Sequence, residues 1–349
     1  MSNIIENVKT TLSQNLGGVA HDTIAPAETR FDLEKDVPDQ SGKVAVLTGS
    51  TTGIGYGASH TLLKKNISKL FMISDGKDNA QDAIKAIGEE MGEDKAKRVI
   101  WIQADLGDWQ RMTEVAKEIR DQTDRLDILV NNAARGIMTA QLTDYGVDRH
   151  MAVNHVGHVV LTSHLLPLLK KTASEGHTVR ISNQASNAHQ QVSSDLKFKT
   201  LEDWNRDDGP MGQYGKSKLA AILYSRYLAR HLTKSHPRIL INATHPGIVD
   251  TKMSTDEIHE PYPLAGYGMS VLLQPFKKTQ FEGCCPTVYA VTVTEKSGQY
   301  ICPPAAPEAG SDLAQNEELQ EDLMELTRRV VTQKFGAQSV DKGCPMKEY

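Results

Sequence analysis

The chain has 349 residues and an apolar content of 39%, enough to bury one large core with decorations rather than two independent domains. A formal charge of -5 with no Lys/Arg tract gives nucleic acid little electrostatic reason to bind. The first twenty residues lack the apolar stretch of a signal peptide, and no eighteen-residue apolar run follows, so the expectation is a cytoplasmic protein with no transmembrane segment. The four cysteines, Cys284, Cys285, Cys302 and Cys344, fit neither a zinc knuckle, a redox CxxC pair nor a disulfide scaffold, and they read as plain thiols.

Residues 1–40 form an N-terminal extension: an apolar-bearing stretch, then a charged linker around Glu34, Asp36 and Asp39 with Pro38 before the core. They could be a loose arm or wrap the body. A short strand pattern at Lys43 to Thr48 ends in GSTTGIGYG, and a helical stretch follows. Further strand-like runs occur at Leu70 to Ser74, Val99 to Gln103, Ile128 to Asn131, Val179 to Ser182, Ile239 to Ala243 and Gln299 to Cys302. Helical patterns such as Gln81 to Glu90 and Arg111 to Gln122 lie between most of them. This alternation predicts an α/β class, a Rossmann-like doubly wound parallel sheet of about seven strands with helices on both faces. The active crevice is then expected beyond the carboxyl ends of the strands. The catalytic body spans 41–311, and 312–349 is a helix, Asp312 to Phe335, followed by an irregular tail.

Gly49, Gly53 and Gly55 stand directly after a strand and before a helix. Glycines there let the chain turn tightly and approach a pyrophosphate, toward which the helix directs backbone donors and its positive end. Asp75 closes the second strand, where a carboxylate would accept both adenosine ribose hydroxyls and repel a 2'-phosphate. That favours NAD, with NADP open because Lys77 lies two residues on and Asp75 could be a turn residue. Asp105, after the third strand, meets either the adenine edge or a helix-capping need. The small NNAA segment, Asn131 to Ala134, leaves room for a flat cofactor, and its amides can tie loops together. Asn154 sits in a helical region that suits an amide poorly, which implies either a kink or a water-holding role in a proton path. His150, His155, His158 and His164 share no metal-binding spacing, and no metal is expected.

Tyr214 and Lys218 lie one helical turn apart in YGKSK. A neighbouring ammonium favours the phenolate and pulls the tyrosine pKa down from about 10, which suits a group that gives and takes a proton near neutral pH. Ser186, in SNQASNAH, would hold a substrate oxygen beside Tyr214 while hydride moves to or from a nicotinamide. Taken alone, the pair could equally decorate an amphipathic helix.

In the order TGSTTGIG, DL at Asp105, NNAA, Asn154, SNQAS, YGKSK and HPGIVDT, the chain resembles the short-chain dehydrogenase/reductase family over approximately Ser41 to Pro303. The resemblance implies Ser186 as substrate-oxygen donor, Tyr214 as acid/base, Lys218 as ribose ligand and tyrosine activator, and Asn154 as holder of a water. It implies a cofactor-binding set of Gly49, Thr51, Thr52, Gly53, Ile54, Gly55, Asp75, Asp105, Leu106, Asn132, Ala133, Tyr214, Lys218, Pro246, Gly247, Ile248 and Thr251, with His245 opening the last loop. Ala188 and His189 after Ser186 resemble the retinol-dehydrogenase-like branch and related fungal reductases, whose substrates are mostly lipophilic alcohols, aldehydes or ketones. The expected activity is NAD(P)-dependent interconversion of an alcohol and an aldehyde or ketone, with a possible homodimer. An epimerase or dehydratase on the same fold, or a non-catalytic dinucleotide sensor, are the alternatives.

Gln184-Ala185 replaces the usual valine-serine, leaving Ser186 as the hydroxyl in register and Ser182 four residues earlier within the strand. Ala134 replaces the commoner glycine. The long stretch between Ser186 and Tyr214 is expected to project over the pocket rim, with Trp204 either touching substrate or anchoring the loop. Residues 252–282 read as a substrate wall or lid, with an oligomer contact or a membrane-touching face as the other readings.

Overall fold

The computed structural model describes residues 31–232, 235–247, 249 and 278–335. Among the described residues the sheet has eight strands: β1 (Val44–Thr48), β2 (Lys69–Ser74), β3 (Val99–Gln103), β4 (Ile128–Asn131), β5 (Val179–Gln184), β6 (Ile239–Thr244), β7 (Tyr300–Cys302) and β8 (Ala306–Glu308). Their order is β3-β2-β1-β4-β5-β6-β7-β8, parallel throughout except for β8, which adds antiparallel to β7. The eighth strand is the difference from the expected count of about seven. Its Ala-Pro-Glu composition carries no strand signal, and it forms by pairing on the exposed edge of β7.

Helices cover both faces. Among the described residues they include α1 (Gly53–Lys64), α2 (Lys77–Met91), α3 (Glu93–Ala96), α4 (Trp109–Gln122), α5 (His158–Ser174), α6 (Leu201–Asn205), α7 (Gly209–Leu232), α8 (Gln280–Thr292), α9 (Asp312–Gln315) and α10 (Glu317–Phe335). Strands buried on both faces need apolar residues at every position rather than alternate ones, which is why VAVLT and KLFMIS read as continuous runs. One apolar cluster, centred on α4, α5, α7 and α10, packs on one face, and a second, with α1, α2 and α8, packs on the other. Because β1 is flanked by β2 and β4, the chain reverses direction across the sheet there, and a crevice opens at the carboxyl ends of these strands.

Candidate active site

At the end of β1 the chain turns through Gly49 and Gly53, whose φ values of 57° and 53° lie in the left-handed region that side chains disfavour. A β-carbon at Gly49 would stand 2.8 Å from Cα of Ala133, and one at Gly55 would stand 2.0 Å from the carbonyl oxygen of Gly49. The loop can therefore close only with glycine at both places. Thr52 precedes α1 without a side-chain cap, and the first turn holds no acidic residue. The open amides and positive end of α1 thus face the crevice, a donor set that fits a pyrophosphate.

The cleft has a volume of about 340 Å³, within the range of small-molecule sites. Gly49, Thr51, Thr52, Gly53 and Ile54 line one end with Ser74, Asp75, Asn79, Asp105 and Leu106. Asn132, Ala133 and Ala134 line the middle. Gln184, Ala185, Tyr214, Lys218 and Pro246 line the other end. Asp75 is exposed at the mouth, whereas Lys77 is not among the lining residues. Asp105 accepts a hydrogen bond from the amide of Gly107 at 2.7 Å, and the helix cap comes instead from Asp108, which accepts from the amide of Arg111 at 2.9 Å. Gly55 shapes the loop without lining the cleft. Gly247, at φ 80°, packs against Pro303 and Lys278. Ile248, Thr251 and nearly all of the expected lid at 252–282 lie outside the described residues, as do Cys344 and the first thirty residues.

Of the NNAA asparagines, Asn132 ties its loop to the glycine loop, donating to the carbonyls of Thr48 and Gly49 at 3.1 and 2.9 Å, whereas Asn131 ties β4 to α5 and β5, donating to Thr162 and Asn183 at 3.0 and 2.8 Å.

Tyr214 and Lys218 project from α7 into the same cleft, with Lys218 Nζ 5.4 Å from the centre of the Tyr214 ring. Lys218 is buried and donates to the carbonyl oxygen of Gln184 at 3.0 Å. Desolvation favours its neutral form and lowers its pKa to about 7. Ser186 stands two residues beyond Gln184, where β5 ends. Its hydroxyl accepts from the amide of Ala188 at 3.2 Å and so caps the short 3-10 helix Asn187–Gln191. Ser182 is fully buried and bonds Thr244 at 3.1 Å, away from the cleft.

Asn154 falls in a π-helical turn, Ala152–Gly157, inserted ahead of α5. Its side chain is already committed: the oxygen accepts from the amide of Arg135 at 2.7 Å, and the nitrogen donates to the Arg135 carbonyl and to Ser217 at 3.0 and 2.9 Å. The side chain thus ties the π turn to the Arg135 backbone and to Ser217 of α7.

The segment between Ser186 and Tyr214 does not project over the rim as expected. Phe198 and Trp204 are fully buried in the core, and His155 meets the Trp204 ring edge-on at 6.1 Å. Lys216, the middle lysine of YGKSK, is also buried and holds this insert by donating to the carbonyls of Trp204 and Arg206 at 3.3 and 3.0 Å and pairing with Asp208 at 2.9 Å. Two large aromatic faces gain more from burial than from solvent, so the insert folds inward. Trp204 is a loop anchor and is sealed from the cleft.

The four histidines, two ahead of α5 and two on it, meet different neighbours. His150 approaches the Gly136 carbonyl at 3.0 Å, His155 bonds Thr327 at 2.8 Å, and His158 spans from the Asn154 carbonyl at 3.2 Å to the Thr48 hydroxyl at 2.9 Å. His164 is half-buried on the same helix, and burial lowers its pKa to about 4. Burial holds His155 and His158 neutral, with pKa values near 3 and 4. Among the described residues no group of three or more His, Cys, Asp or Glu could hold a metal ion.

Three contributors escape a reading of the sequence. Gly215 has no side chain, and a β-carbon there would stand 2.5 Å from the carbonyl oxygen of Ala188. Gln184 accepts from Thr244 and Thr287 at 3.1 and 2.9 Å, so the departure from valine-serine builds a buried polar tie between β5, β6 and α8. His158 looked like one of several scattered imidazoles, and only its two partners reveal it as a link between the glycine loop's strand and the π turn.

A parallel sheet with a glycine loop at its switch point and a tyrosine and lysine converging on the same crevice defines a dinucleotide-dependent oxidoreductase class. The chain belongs to the short-chain dehydrogenase/reductase family of NAD(P)-dependent enzymes. The short chain dehydrogenase family model matches residues 43–194. A Neurospora crassa protein, bli-4, whose name carries oxidoreductase and a mitochondrial location, is 56% identical over 99% of this chain and 84% of its own length. A polyprenol dehydrogenase of Danio rerio is 29% identical over 75% of this chain and 78% of its own. The Pseudomonas aeruginosa RhlG/NADP active-site complex superposes with a TM-score of 0.58 at 25% identity, covering 76% of this chain and 96% of that one. Among the described residues no helix is long and apolar enough to cross a membrane.

Proposed function

We propose that the protein interconverts a lipophilic alcohol with its aldehyde or ketone, with Tyr214 giving and taking the proton. The observation that carries this reading is the convergence of Tyr214 and Lys218 on the cleft that also holds the glycine loop. NAD, when bound, accepts or returns the hydride. Lys218 holds a donor beside the Tyr214 ring, and its charged form stabilises the phenolate. Ser186 fixes the substrate oxygen so that the proton moves at one defined atom. Asn154, in the π turn, holds a water that links Lys218 to solvent. Asp75 at the cleft mouth, with Lys77 outside the lining, supports NAD over NADP through repulsion of a 2'-phosphate. The polyprenol dehydrogenase relative supports a lipophilic substrate.

The test is a panel of lipophilic aldehydes, ketones and alcohols assayed in parallel with NAD(H) and NADP(H). Stoichiometric turnover, faster with NAD(H), is the expected result. Product formation with the cofactor retained and no net exchange would assign an epimerase or dehydratase instead. Asp75→Asn should shift kcat/KM toward NADP by about five- to tenfold, matching the loss of roughly 1 kcal/mol of charge repulsion in water.

The same proposal includes a homodimer and a cytoplasmic location, against the mitochondrial one in the name of the Neurospora relative. Light scattering of the purified chain tests the first. Cell fractionation of a C-terminally tagged full-length chain tests the second, and recovery with the mitochondrial matrix would overturn it.

A further inference from the structure

His189 follows Ser186 by three residues, and its ring is buried between two backbone segments. On one side its Nδ1 lies 2.7 Å from the carbonyl oxygen of Ser186, which can only accept. On the other, its Nε2 accepts from the backbone amide of Ser311 at 3.1 Å, which can only donate. The two partners together select the neutral Nδ1–H tautomer. The ring also meets Tyr300 of β7 edge-on at 5.2 Å.

Ser311 is itself held in place. Its hydroxyl caps α9 by accepting from Ala314 at 3.3 Å, and Gly310, at φ 75°, lies against the His189 ring. Arg226, on the same helix as Tyr214, donates to the carbonyls of Ala309 and Ala314 at 2.8 and 2.7 Å, on either side of Ser311. Beyond α9, α10 lies along α7, with Arg230 paired to Glu317 and Glu321 at 2.7 and 2.5 Å.

We propose that His189 is a positioning residue through which the C-terminal segment, by the amide of Ser311, sets the placement of Ser186. The inference rests on the reading of Ser186 as the substrate-oxygen donor. If the Ser311 amide is lost, Nδ1–H still holds the Ser186 carbonyl but Nε2 has no anchor, so the ring and the turn that carries the Ser186 hydroxyl shift together.

The test uses the full-length chain. Ser311→Pro, compatible with the φ of -70°, replaces the amide proton with a ring carbon that cannot donate and displaces Nε2 from its present place, and Ser311→Ala removes the hydroxyl cap but keeps the amide. Both are assayed with NADH and the aldehyde of the panel that turns over best. The hydrogen bond at His189 Nε2 is read from nitrogen-15 spectra, with its signal assigned by its disappearance in His189→Phe.

Ser311→Pro is expected to lower kcat about tenfold, leave the KM for NADH unchanged and move the Nε2 nitrogen-15 signal downfield, as for an acceptor that has lost its hydrogen bond, with Nδ1–H retained, while Ser311→Ala stays within about twofold of the parent. Parental kcat in folded Ser311→Pro overturns the coupling, as does an Nε2 signal at its parental position. Parental turnover in Ser186→Ala would instead overturn the reading of Ser186, and the nitrogen-15 measurement keeps the two failures apart.

Discussion

Gly215 and Ala188 touch where no side chain would fit: a β-carbon on Gly215 would stand 2.5 Å from the Ala188 carbonyl oxygen and 3.3 Å from the Val192 methyl. Gly215 directly follows Tyr214, and Ala188 opens the turn capped by Ser186. This one contact therefore brings the turn of the candidate serine onto the helix of the candidate tyrosine. Gly215→Ala should push the two apart and lower turnover by about tenfold or more, because misplacement of reacting groups by around 1 Å is costly. NADH affinity, read by fluorescence titration, should stay within a few-fold of the parent, since the glycine loop lies elsewhere. Unchanged turnover would show that the turn can retreat without moving Ser186.

Tyr214→Phe keeps the ring that packs beside Lys218 and removes the hydroxyl proposed to move the proton. General acid–base catalysis contributes about 10²–10⁴ in rate, so turnover should fall by that order with cofactor affinity largely intact. Near-normal steady-state turnover would remove Tyr214 from the proposed role.

Trp204 is fully buried, with His155 edge-on to its ring. Trp204→Ala should cost about 3–5 kcal/mol by equilibrium urea unfolding, the usual loss for a buried indole. KM for the carbonyl substrate should change far less than stability in the variant that remains folded. A KM effect with no stability effect would mean that the indole reaches substrate after all.

The pH dependence of the cofactor-free protein should carry the signature of Lys218, whose pKa burial lowers to about 7 from 10.5. Below about pH 7 both folded and unfolded chains carry this charge, and the burial penalty acts in full. Between about 7 and 10.5 the unfolded chain binds more protons, so stability rises with pH. Above 10.5 both are neutral and the penalty is gone. Lys218→Met removes the effect, so the parent should gain on the variant between pH 7 and 9.5, by an amount on the order of a few kcal/mol. Chemical denaturation of both proteins at the two pH values measures this difference. A flat difference would mean that the Gln184 carbonyl and trapped solvent keep the ammonium charged.

Much of this architecture is readable from local patterns. Continuous apolar runs mark strands buried on both faces, and the glycines of GSTTGIGYG announce a turn that no β-carbon could enter. Tyr214 and Lys218 were legible because one helical turn puts i and i+4 on the same face, a property that survives without tertiary structure. The edge strand β8 was not legible, since Ala306, Pro307 and Glu308 extend only because β7 offers them unpaired backbone. Trp204 was ambiguous for a related reason: an indole in a polar insert suits a pocket wall or an anchor equally until the surface it meets is known.

What the sequence by itself determined is the set of groups that periodicity and spacing can place: the parallel sheet, the glycine loop, and the tyrosine with its lysine. What only the tertiary structure decided is which distant backbone each group meets. Gly215 against Ala188, Gln184 beneath Thr244 and Thr287, and His189 between Ser186 and Ser311 are contacts between residues far apart in the chain or hidden by a missing side chain. Their energies come from close packing and from satisfying buried donors and acceptors, and these have no period along a sequence.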